Sequence, residues 1–352
     1  MKIGVPKEVK PNEGRVALIP AACEQLVKLG HEVRIQMGAG VASGYKDAAY
    51  LEAGGRLVPS AAAVYGDSQL MVKVKEPVEA EWGLLRQDHL LFSFLHLAAA
   101  PQLAETLCRI GLTSIAFETV RVGSSLPILA PMSQIAGRIA VQVGAHLLHS
   151  SQGGRGVLLG GVAGAQRGEV VVLGAGSAGM SATQLAAAMG AQVTVFDVDL
   201  QRLEMAREVS PNVTGLYSYP KLVAEKVKHA DLLIGAVLLP GIKAPKVVSR
   251  DVVKTMVPGS VIVDVSVDQG GCIETTEPRT YESPTYVAEG VIHFTVTNMP
   301  GAVARTASQV LSAAITPYLI RLADGSWSND PVLQGAINTQ VGKNLLASKW
   351  GR

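Results

Sequence analysis

Apolar runs and amphipathic segments alternate over the first third of the chain. Runs rich in Val, Leu and Ile predict buried strands at residues 2–5, 32–36, 70–74, 90–95 and 114–118. Between them, residues 21–29 and 101–110 carry apolar side chains at helical spacing, and each segment ends at a glycine, which favours a helix C-terminus. This alternation predicts a parallel sheet whose strands are connected by helices.

A second group of apolar runs follows the glycine-rich residues 153–168. These runs predict another parallel sheet, with strands at residues 170–173, 192–196, 232–236, 261–265 and 293–297. Ahead of them, Ser133 is an expected N-cap, because apolar residues follow it at the spacing of one long amphipathic helix. Residues 303–322 again have a helical pattern, and the remainder is too short for a third core, so we expect it to pack on the first domain.

We therefore predict an α/β fold with two Rossmann-like, doubly wound parallel-sheet domains, one inserted into the other. The first domain is predicted to comprise residues 1–127 with 306–352, and the inserted domain residues 128–305. A plain tandem of two domains is the alternative. In either arrangement we expect a ligand cleft between the domains.

Composition supports this fold class. Of 352 residues, 48% are hydrophobic and only 5% aromatic, while glycine numbers 37. The length is sufficient for two cores. Few aromatic residues and many glycines favour buried parallel strands under closely packed helices over an all-β fold.

Charge and cysteine usage exclude several classes of protein. Lys and Arg total 31 against 29 Asp and Glu, which gives no broad electrostatic footprint for nucleic acid or an anionic membrane. The most apolar stretch, residues 90–104, is too short to span a bilayer, and no apolar leader opens the chain. Cys23, Cys108 and Cys272 are far apart and indicate neither disulfides nor a metal site. We expect a cytoplasmic protein without nucleic-acid, membrane or metal partners.

The motif Gly174-Ala175-Gly176-Ser177-Ala178-Gly179 stands between a predicted strand and a predicted helix. Gly174 permits a tight turn, Gly176 lets the backbone approach a pyrophosphate, and Gly179 allows the helix to pack closely on the strand. The next strand ends at Asp197, 18 residues after Gly179, where a carboxylate accepts hydrogen bonds from the adenosine ribose. Glycine-rich turns alone are common, but this context predicts dinucleotide binding, with NAD favoured over FAD.

Asp197 also favours NAD over NADP, because a carboxylate there repels a 2′-phosphate. Arg202 lies close by in the sequence and keeps NADP open as an alternative. The inserted domain is therefore predicted to be the NAD-binding domain, and the first domain the substrate domain.

Polar residues follow four of the apolar runs. In an open parallel sheet, ligands bind beyond the carboxyl ends of strands, where the sequence places Lys75, His96, Asp268 and Asn298. A lysine can polarise a carbonyl, and histidine or aspartate can move protons. Arg15, in a loop, could bind a carboxylate bidentately. Each residue could instead have a structural role. The lysine and arginine could be solvated surface charges, His96 could be a hydrogen-bonded core residue, and Asp268 could belong to a turn.

Together these residues make the sequence resemble the family that comprises alanine dehydrogenases and pyridine nucleotide transhydrogenases. The likeness runs nearly end to end, and its motifs are Gly4-Val5-Pro6-Lys7-Glu8, Arg15-Val16-Ala17, residues 73–77, Leu95-His96-Leu97, Leu129-Ala130-Pro131-Met132-Ser133, residues 265–271 and Asn298-Met299-Pro300-Gly301.

The resemblance implies reversible NAD-dependent oxidative deamination of L-alanine to pyruvate and ammonia. It implies that Arg15 and Lys75 bind substrate and that His96 and Asp268 act as acid and base in the interconversion of imine and carbinolamine. Besides the glycine motif and Asp268, the positions matching the family's NAD contacts are Ser133, Asp197, Arg202, Val237, Leu238, Val265, Asn298, Met299 and Pro300. It also implies a homo-oligomer, commonly a hexamer.

Departures from the family pattern are few. Ala163 replaces the more usual proline of a Gly-Val-Pro-Gly turn, Gly14 stands where a bulkier residue often precedes the arginine, and the C-terminus is short. They bear on oligomer packing and substrate affinity more than on the reaction.

Three other functions stay open. One is the NAD-binding subunit of a proton-translocating transhydrogenase, against which the joint presence of Lys75, His96 and Asp268 speaks. Another is a catalytically silent NAD-binding regulator, which would have no use for those residues. The third is a dehydrogenase for a different amino acid, as in the saccharopine and lysine-pathway relatives.

Overall fold

The computed structural model describes residues 1–237 and 243–345 of the chain. It comprises two compact units: Met1–Met132 with the described residues from Gly301 onward form unit 1, and Ser133–Pro300 form unit 2. The domain boundaries after residues 127 and 305 remain our proposal for the folding units.

The strands are numbered in chain order. They are β1 Lys2–Val5, β2 Glu32–Gln36, β3 Arg56–Val58, β4 Leu70–Val72, β5 Leu90–Ser93, β6 Thr113–Ala116, β7 Glu169–Leu173, β8 Gln192–Asp197, β9 Val213–Tyr217, β10 Leu232–Gly235, β11 Val261–Asp264, β12 Thr285–Ala288, β13 Val291–Phe294, β14 Ile337–Gln340 and β15 Lys343–Asn344.

The helices connect these strands. They are α1 Pro20–Lys28, α2 Asp47–Glu52, α3 Ala61–Asp67, α4 Glu79–Trp82, α5 Pro101–Ile110, α6 Leu129–Leu147, α7 Ser177–Ala188, α8 Leu200–Arg207, α9 Pro220–His229, α10 Arg250–Val253, α11 Ala304–Asp324 and α12 Pro331–Ala336.

Unit 1 has a doubly wound sheet with the strand order β15-β14-β6-β5-β4-β1-β2-β3. Strands β1 to β6 are parallel, and β1 pairs with both β2 and β4. The order therefore reverses between β1 and β4, which places a ligand crevice at the carboxyl ends of those two strands. The β1 and β4 side chains are almost all buried, which explains their continuous apolar sequence.

Unit 2 repeats this winding in the order β12-β13-β11-β10-β7-β8-β9. Its reversal lies between β7 and β10, which pair in parallel from Val170↔Leu232 to Leu173↔Gly235. Its core includes Val171, Leu233 and Ile262 from neighbouring strands. The predicted fold class is confirmed in both units.

Two features differ from the sequence predictions. Ser133 is not an N-cap, because α6 begins at Leu129 and includes it; Pro131 is tolerated there because first-turn amides need no intrahelical acceptor. The sheets are not purely parallel, since β14 pairs antiparallel with β6 and β12 with β13. The segment after α11 does pack on the first sheet as predicted, through β14.

Within the described residues, no helix is both long enough and apolar enough to cross a membrane.

Candidate active site

The glycine motif forms the turn from β7 into α7. Gly174 has φ +95°, and a Cβ added to it would lie 2.7 Å from the carbonyl oxygen of Ala236. A Cβ on Gly179 would lie 1.7 Å from the carbonyl oxygen of Gly174. Real Cβ atoms do not approach oxygen so closely, so the turn requires glycine at both positions.

Gly176 has a different surrounding. It is the extended N-cap of α7, and the only atom near an added Cβ among the described residues is Nη1 of Arg202, at 4.0 Å. Space therefore lies in front of the first turn of α7, whose amides at Ser177 and Ala178 begin the helix. An N-terminal helix turn facing open space suits an anionic pyrophosphate, so these residues fit NAD.

Asp197 ends β8 and is tied to this turn. Its Oδ2 accepts the Ala175 N–H at 2.6 Å, while its Oδ1 accepts the N–H groups of Val198 and Asp199 at 2.8 and 2.9 Å. The half-buried carboxylate is thereby fixed beside the glycine turn, where it can accept ribose hydroxyls. Arg202 is exposed, and its Nε lies 3.5 Å from Asp199.

Asp268 lies in a 3-10 turn that follows β11, residues Val265–Gln269. Its side chain is exposed, and its Oδ2 accepts the N–H of Asn298 at 3.4 Å. Asn298 has φ +58° and follows β13. The structure thus brings two predicted site residues together at the carboxyl edge of unit 2.

A buried carboxylate that the sequence analysis did not single out organises this turn. Asp264 accepts the N–H groups of Ser266 and Cys272 at 2.9 Å each and the hydroxyl of Thr276 at 2.7 Å. Burial raises the pKa of Asp264 above its ordinary value, although these hydrogen bonds lower it. Asp264 therefore fixes both ends of the loop that carries Asp268.

Two of the other predicted NAD contacts accept hydrogen bonds through their backbone carbonyls. The carbonyl of Val237 accepts the Ser266 hydroxyl at 2.8 Å, and that of Met299 accepts the Tyr281 hydroxyl at 3.1 Å. Val265 and Ser133 are half-buried, and Pro300 is buried. Leu238 lies outside the described residues.

In unit 1, Arg15 is a buried, oriented cation. Its Nε and Nη2 donate to the two Glu13 carboxylate oxygens at 2.7 and 2.5 Å, and its Nη1 contacts Sδ of Met132 at 3.4 Å. This side-on pairing fixes the guanidinium plane. Glu13 was not anticipated as its partner.

The neighbouring departure at Gly14 has a local effect. A Cβ there would lie 3.3 Å from the Cβ atoms of Ala42 and Ala304. A bulkier residue would push both away, so glycine keeps this loop close to its neighbours.

Lys75 follows β4 and is half-buried. Its N–H donates to Oε2 of Glu8 at 3.4 Å, and the preceding N–H, of Val74, donates to Oε1 at 2.6 Å. Glu8 follows β1, so one carboxylate links the loops at the two strands where the sheet order reverses.

His96 follows β5 with its side chain exposed. Its φ of +48° is unusual for a residue with a side chain. Oε1 of Glu118 accepts the His96 N–H at 2.7 Å, and the imidazole stacks on Phe94 at a centroid distance of 5.7 Å. These contacts hold the ring in place against the carboxyl edge of unit 1.

The described residues contain no group of three or more His, Cys, Asp or Glu side chains that could hold a metal ion.

Comparison with known families assigns both halves of the chain. The alanine dehydrogenase/PNT N-terminal domain matches residues 4–136, and the alanine dehydrogenase/PNT C-terminal domain matches residues 140–346. The chain is 47% identical to the alanine dehydrogenase of Mycobacterium tuberculosis over 98% of its own length and 95% of the relative's. It is 44% identical to that of Bacillus subtilis over 97% of its length and 92% of the relative's.

Solved structures support the same family. An L-alanine dehydrogenase superposes with a TM-score of 0.95 at 47% identity, covering 100% of this chain and 98% of that one. A transhydrogenase from Sinorhizobium meliloti is also similar, with a TM-score of 0.86 at 26% identity, covering 98% of this chain and 99% of that one. Both family matches and these likenesses span nearly the whole sequence, and the chain therefore belongs to the alanine dehydrogenase/PNT family.

Proposed function

We propose that the protein is an alanine dehydrogenase, which oxidises L-alanine with NAD to pyruvate and ammonia and catalyses the reverse reaction. The observation that carries the proposal is the nearly full-length likeness to alanine dehydrogenases from several organisms. The glycine turn and Asp197 support NAD as the cofactor.

Bound NAD supplies the hydride acceptor. In unit 2, the N-terminus of α7 would hold the pyrophosphate, and Asp197 would hold the adenosine ribose. The positions matching the family's further contacts, including Val265 and Asn298, would orient the nicotinamide end.

The substrate contacts are proposed for unit 1. Arg15, held side-on by Glu13, would bind the alanine carboxylate. Lys75 would donate a hydrogen bond to the carboxylate or to the keto oxygen of pyruvate, which favours charge developing on that oxygen.

His96 and Asp268 would move protons. When water adds to the imine carbon, one of them takes a proton from the water; when the carbinolamine loses ammonia, a proton passes from the hydroxyl to the leaving nitrogen. Imidazole suits this transfer because one ring nitrogen can accept a proton while the other donates one.

A transhydrogenase subunit is the second candidate, favoured by the structural likeness to the Sinorhizobium meliloti protein. Such a subunit has no amino-acid substrate. The joint presence of Arg15, Lys75, His96 and Asp268 favours the dehydrogenase, whose relatives are also closer in sequence.

We further propose that the protein works in the cytoplasm as a homo-oligomer, in line with the hexamers of its family. Size-exclusion chromatography with light scattering tests the assembly.

The test of function is a substrate panel with purified protein. NAD should be reduced when L-alanine is supplied, and NADH should be oxidised only when pyruvate and ammonia are both present. D-Alanine, glycine, L-serine and L-lysine measure the strictness for alanine. Absence of turnover with every amino acid, together with measurable NADH binding, would favour the transhydrogenase or a regulator.

A further inference from the structure

Glu8 and Lys75 meet at the reversal point of the unit 1 sheet. Glu8 follows β1 and Lys75 follows β4, and these two strands pair only through Ile3↔Leu70 and Gly4↔Met71. Beyond these two residue pairs, β1 and β4 are no longer paired. The segment that carries Lys75 therefore needs other hydrogen-bond partners on the β1 side.

The other side of this segment is held by β5. The Lys73 N–H donates to the Phe92 carbonyl oxygen at 3.3 Å, and the Phe94 N–H donates to the Val74 carbonyl oxygen at 3.1 Å. The N–H groups of Val74 and Lys75 go instead to the two oxygens of Glu8, at 2.6 and 3.4 Å. The carboxylate therefore takes the place that a neighbouring strand would occupy.

We propose that Glu8 is a positioning residue for the reaction: its carboxylate fixes the backbone of Val74 and Lys75 and so sets where the Lys75 ammonium meets the substrate. This inference rests on the proposed substrate role of Lys75. Glu8 itself need not touch the substrate.

The charge balance around Glu8 argues that its ionised form matters. Its side chain is 3% exposed, and the nearby Lys73 ammonium lies 2.6 Å from Glu81 but 4.0 Å from Glu8. Lys73 is thus mainly neutralised by Glu81, and Glu8 is a second buried carboxylate with a weaker partner. Burying a charge costs free energy, and a neutral side chain at this position could accept one amide at a lower cost.

Protonation would alter this contact. Burial raises the pKa of Glu8 to about 7, as do the carboxylates of Glu13 and Glu81, while Lys73 and the Val74 amide lower it. The other titratable groups of this cluster are Lys75, whose amide Glu8 accepts, and Tyr65, which donates to Glu81. A protonated carboxyl has one good acceptor oxygen, so it would release one of the two amides.

The decisive experiment is a double-mutant cycle with Glu8→Gln and Lys75→Met, read out in pyruvate reduction. Glu8→Gln preserves size but can accept with one oxygen only, and we expect the KM for pyruvate to rise about tenfold through the displaced Lys75. The Kd for NADH should change by less than about twofold, because unit 2 binds it. In the Lys75→Met background, Glu8→Gln should have no further effect on this KM.

Asp47→Asn is the matched control. Asp47 also accepts a backbone amide with both oxygens, from Gly38 at 2.9 and 3.1 Å, in the same unit, but this amide follows β2 and not β4. Its KM for pyruvate should equal that of the wild type. Equal KM changes in both variants, or additive effects of Glu8→Gln and Lys75→Met, would overturn the proposal.

The wild-type enzyme supplies a measurement that does not depend on a folded Glu8 variant. Its KM for pyruvate should rise as the pH falls from about 8 to about 6, because Glu8 becomes protonated, and the rise should be smaller in Lys75→Met. A rise that is the same in both proteins overturns the inference. If Lys75→Met alone leaves KM unchanged, the substrate role of Lys75 fails instead.

Discussion

The two units share a strand order but carry opposite kinds of groups where that order reverses. In unit 2 the reversal point is built from backbone: a glycine turn, a helix N-terminus and open space at Gly176. In unit 1 it is built from charged side chains: Glu8 follows β1, Lys73 follows β4, and both are buried. The same scaffold thus offers peptide dipoles in one unit and ions in the other.

The difference matches what each unit would bind. A pyrophosphate is large and anionic, so aligned amides bind it without any titratable group. A small amino acid needs charge recognition and proton transfer, which only ionisable side chains supply. Sheet topology fixes where a ligand lies, and the groups at the crevice decide what is done to it.

The largest expected effect lies in the backbone-built turn. Gly179→Ala places a Cβ 1.7 Å from the Gly174 carbonyl oxygen, so the turn must deform. We expect a lower Tm and no measurable NADH binding. Gly176→Ala meets no atom of the described residues closer than 4.0 Å, so its Tm should be unchanged while overlap with the pyrophosphate costs about 2 kcal/mol, about thirtyfold in Kd.

Differential scanning fluorimetry and NADH fluorescence separate these two effects. Gly66→Ala is the control, because an added Cβ in α3 has open space around it. If Gly179→Ala binds NADH normally, the backbone account of unit 2 is wrong.

The next effect tests the side-chain character of unit 1. His96→Ala should lower kcat about a thousandfold because a proton carrier is lost, with the Kd for NADH within about twofold of wild type. Stopped-flow measurement of NADH oxidation and fluorescence titration provide the two values. His31→Ala, a half-buried histidine elsewhere in unit 1, is the matched control. If His96→Ala lost NADH affinity to the same extent as kcat, His96 would have a structural role.

The buried charge of unit 1 should also cost stability in a pH-dependent way. The folded-state pKa of Glu8, about 7, exceeds its ordinary 4.5, so the folded protein retains a proton that the unfolded chain has released between these values. This contribution to stability is therefore lost as the pH rises through that window. Relative to wild type, Glu8→Gln should gain roughly 3 kcal/mol in unfolding free energy across it.

Urea unfolding at several pH values measures this difference. Asp47→Asn should follow the wild-type pH dependence across the same window. Parallel curves for Glu8→Gln and wild type would mean that burial of Glu8 is not compensated by protonation.

The smallest effect concerns cofactor choice. Asp197→Asn removes the charge that repels a 2′-phosphate, so NADH affinity should fall and NADPH affinity rise, each by about tenfold. Asp199→Asn is the control, because Asp199 caps α8 through the amides of Gln201 and Arg202 and so should affect stability rather than preference. If Asp197→Asn left the preference for NADH over NADPH unchanged, Arg202 and not Asp197 would be the residue to test for this preference.

Much of the fold could be predicted because central parallel strands are apolar throughout. The bounds of β1 and β2 match the sequence prediction, whereas five strands were missed: β3, β9, β12, β14 and β15. All of these but β14 lie at sheet edges, where side chains are partly exposed and the apolar run is interrupted. Edge strands depend on a neighbour for their hydrogen bonds, and one segment of sequence does not show that neighbour.

The candidate site divides in the same way. The glycine turn and the residues beyond the strand ends have local signatures, so they could be identified. Glu8, Glu118 and Asp264 could not, because each acts on a loop distant in sequence or on amides that only the fold brings within reach. A carboxylate close to a predicted strand end is the one signal that could have suggested them.

Unit 1 is built from two separate stretches of the chain, one before and one after unit 2, which affects the order in which the units can fold during synthesis. The loop around Arg15 is tied to α11, since Val16 and Ile19 donate to the hydroxyls of Ser308 and Ser312. Strand β14 joins the sheet beside β6. Unit 2 is continuous, so a ribosome releases all of it before these partners emerge. Unit 2 can therefore fold before unit 1 has received its last strands, and early NAD binding would stabilise the nascent chain.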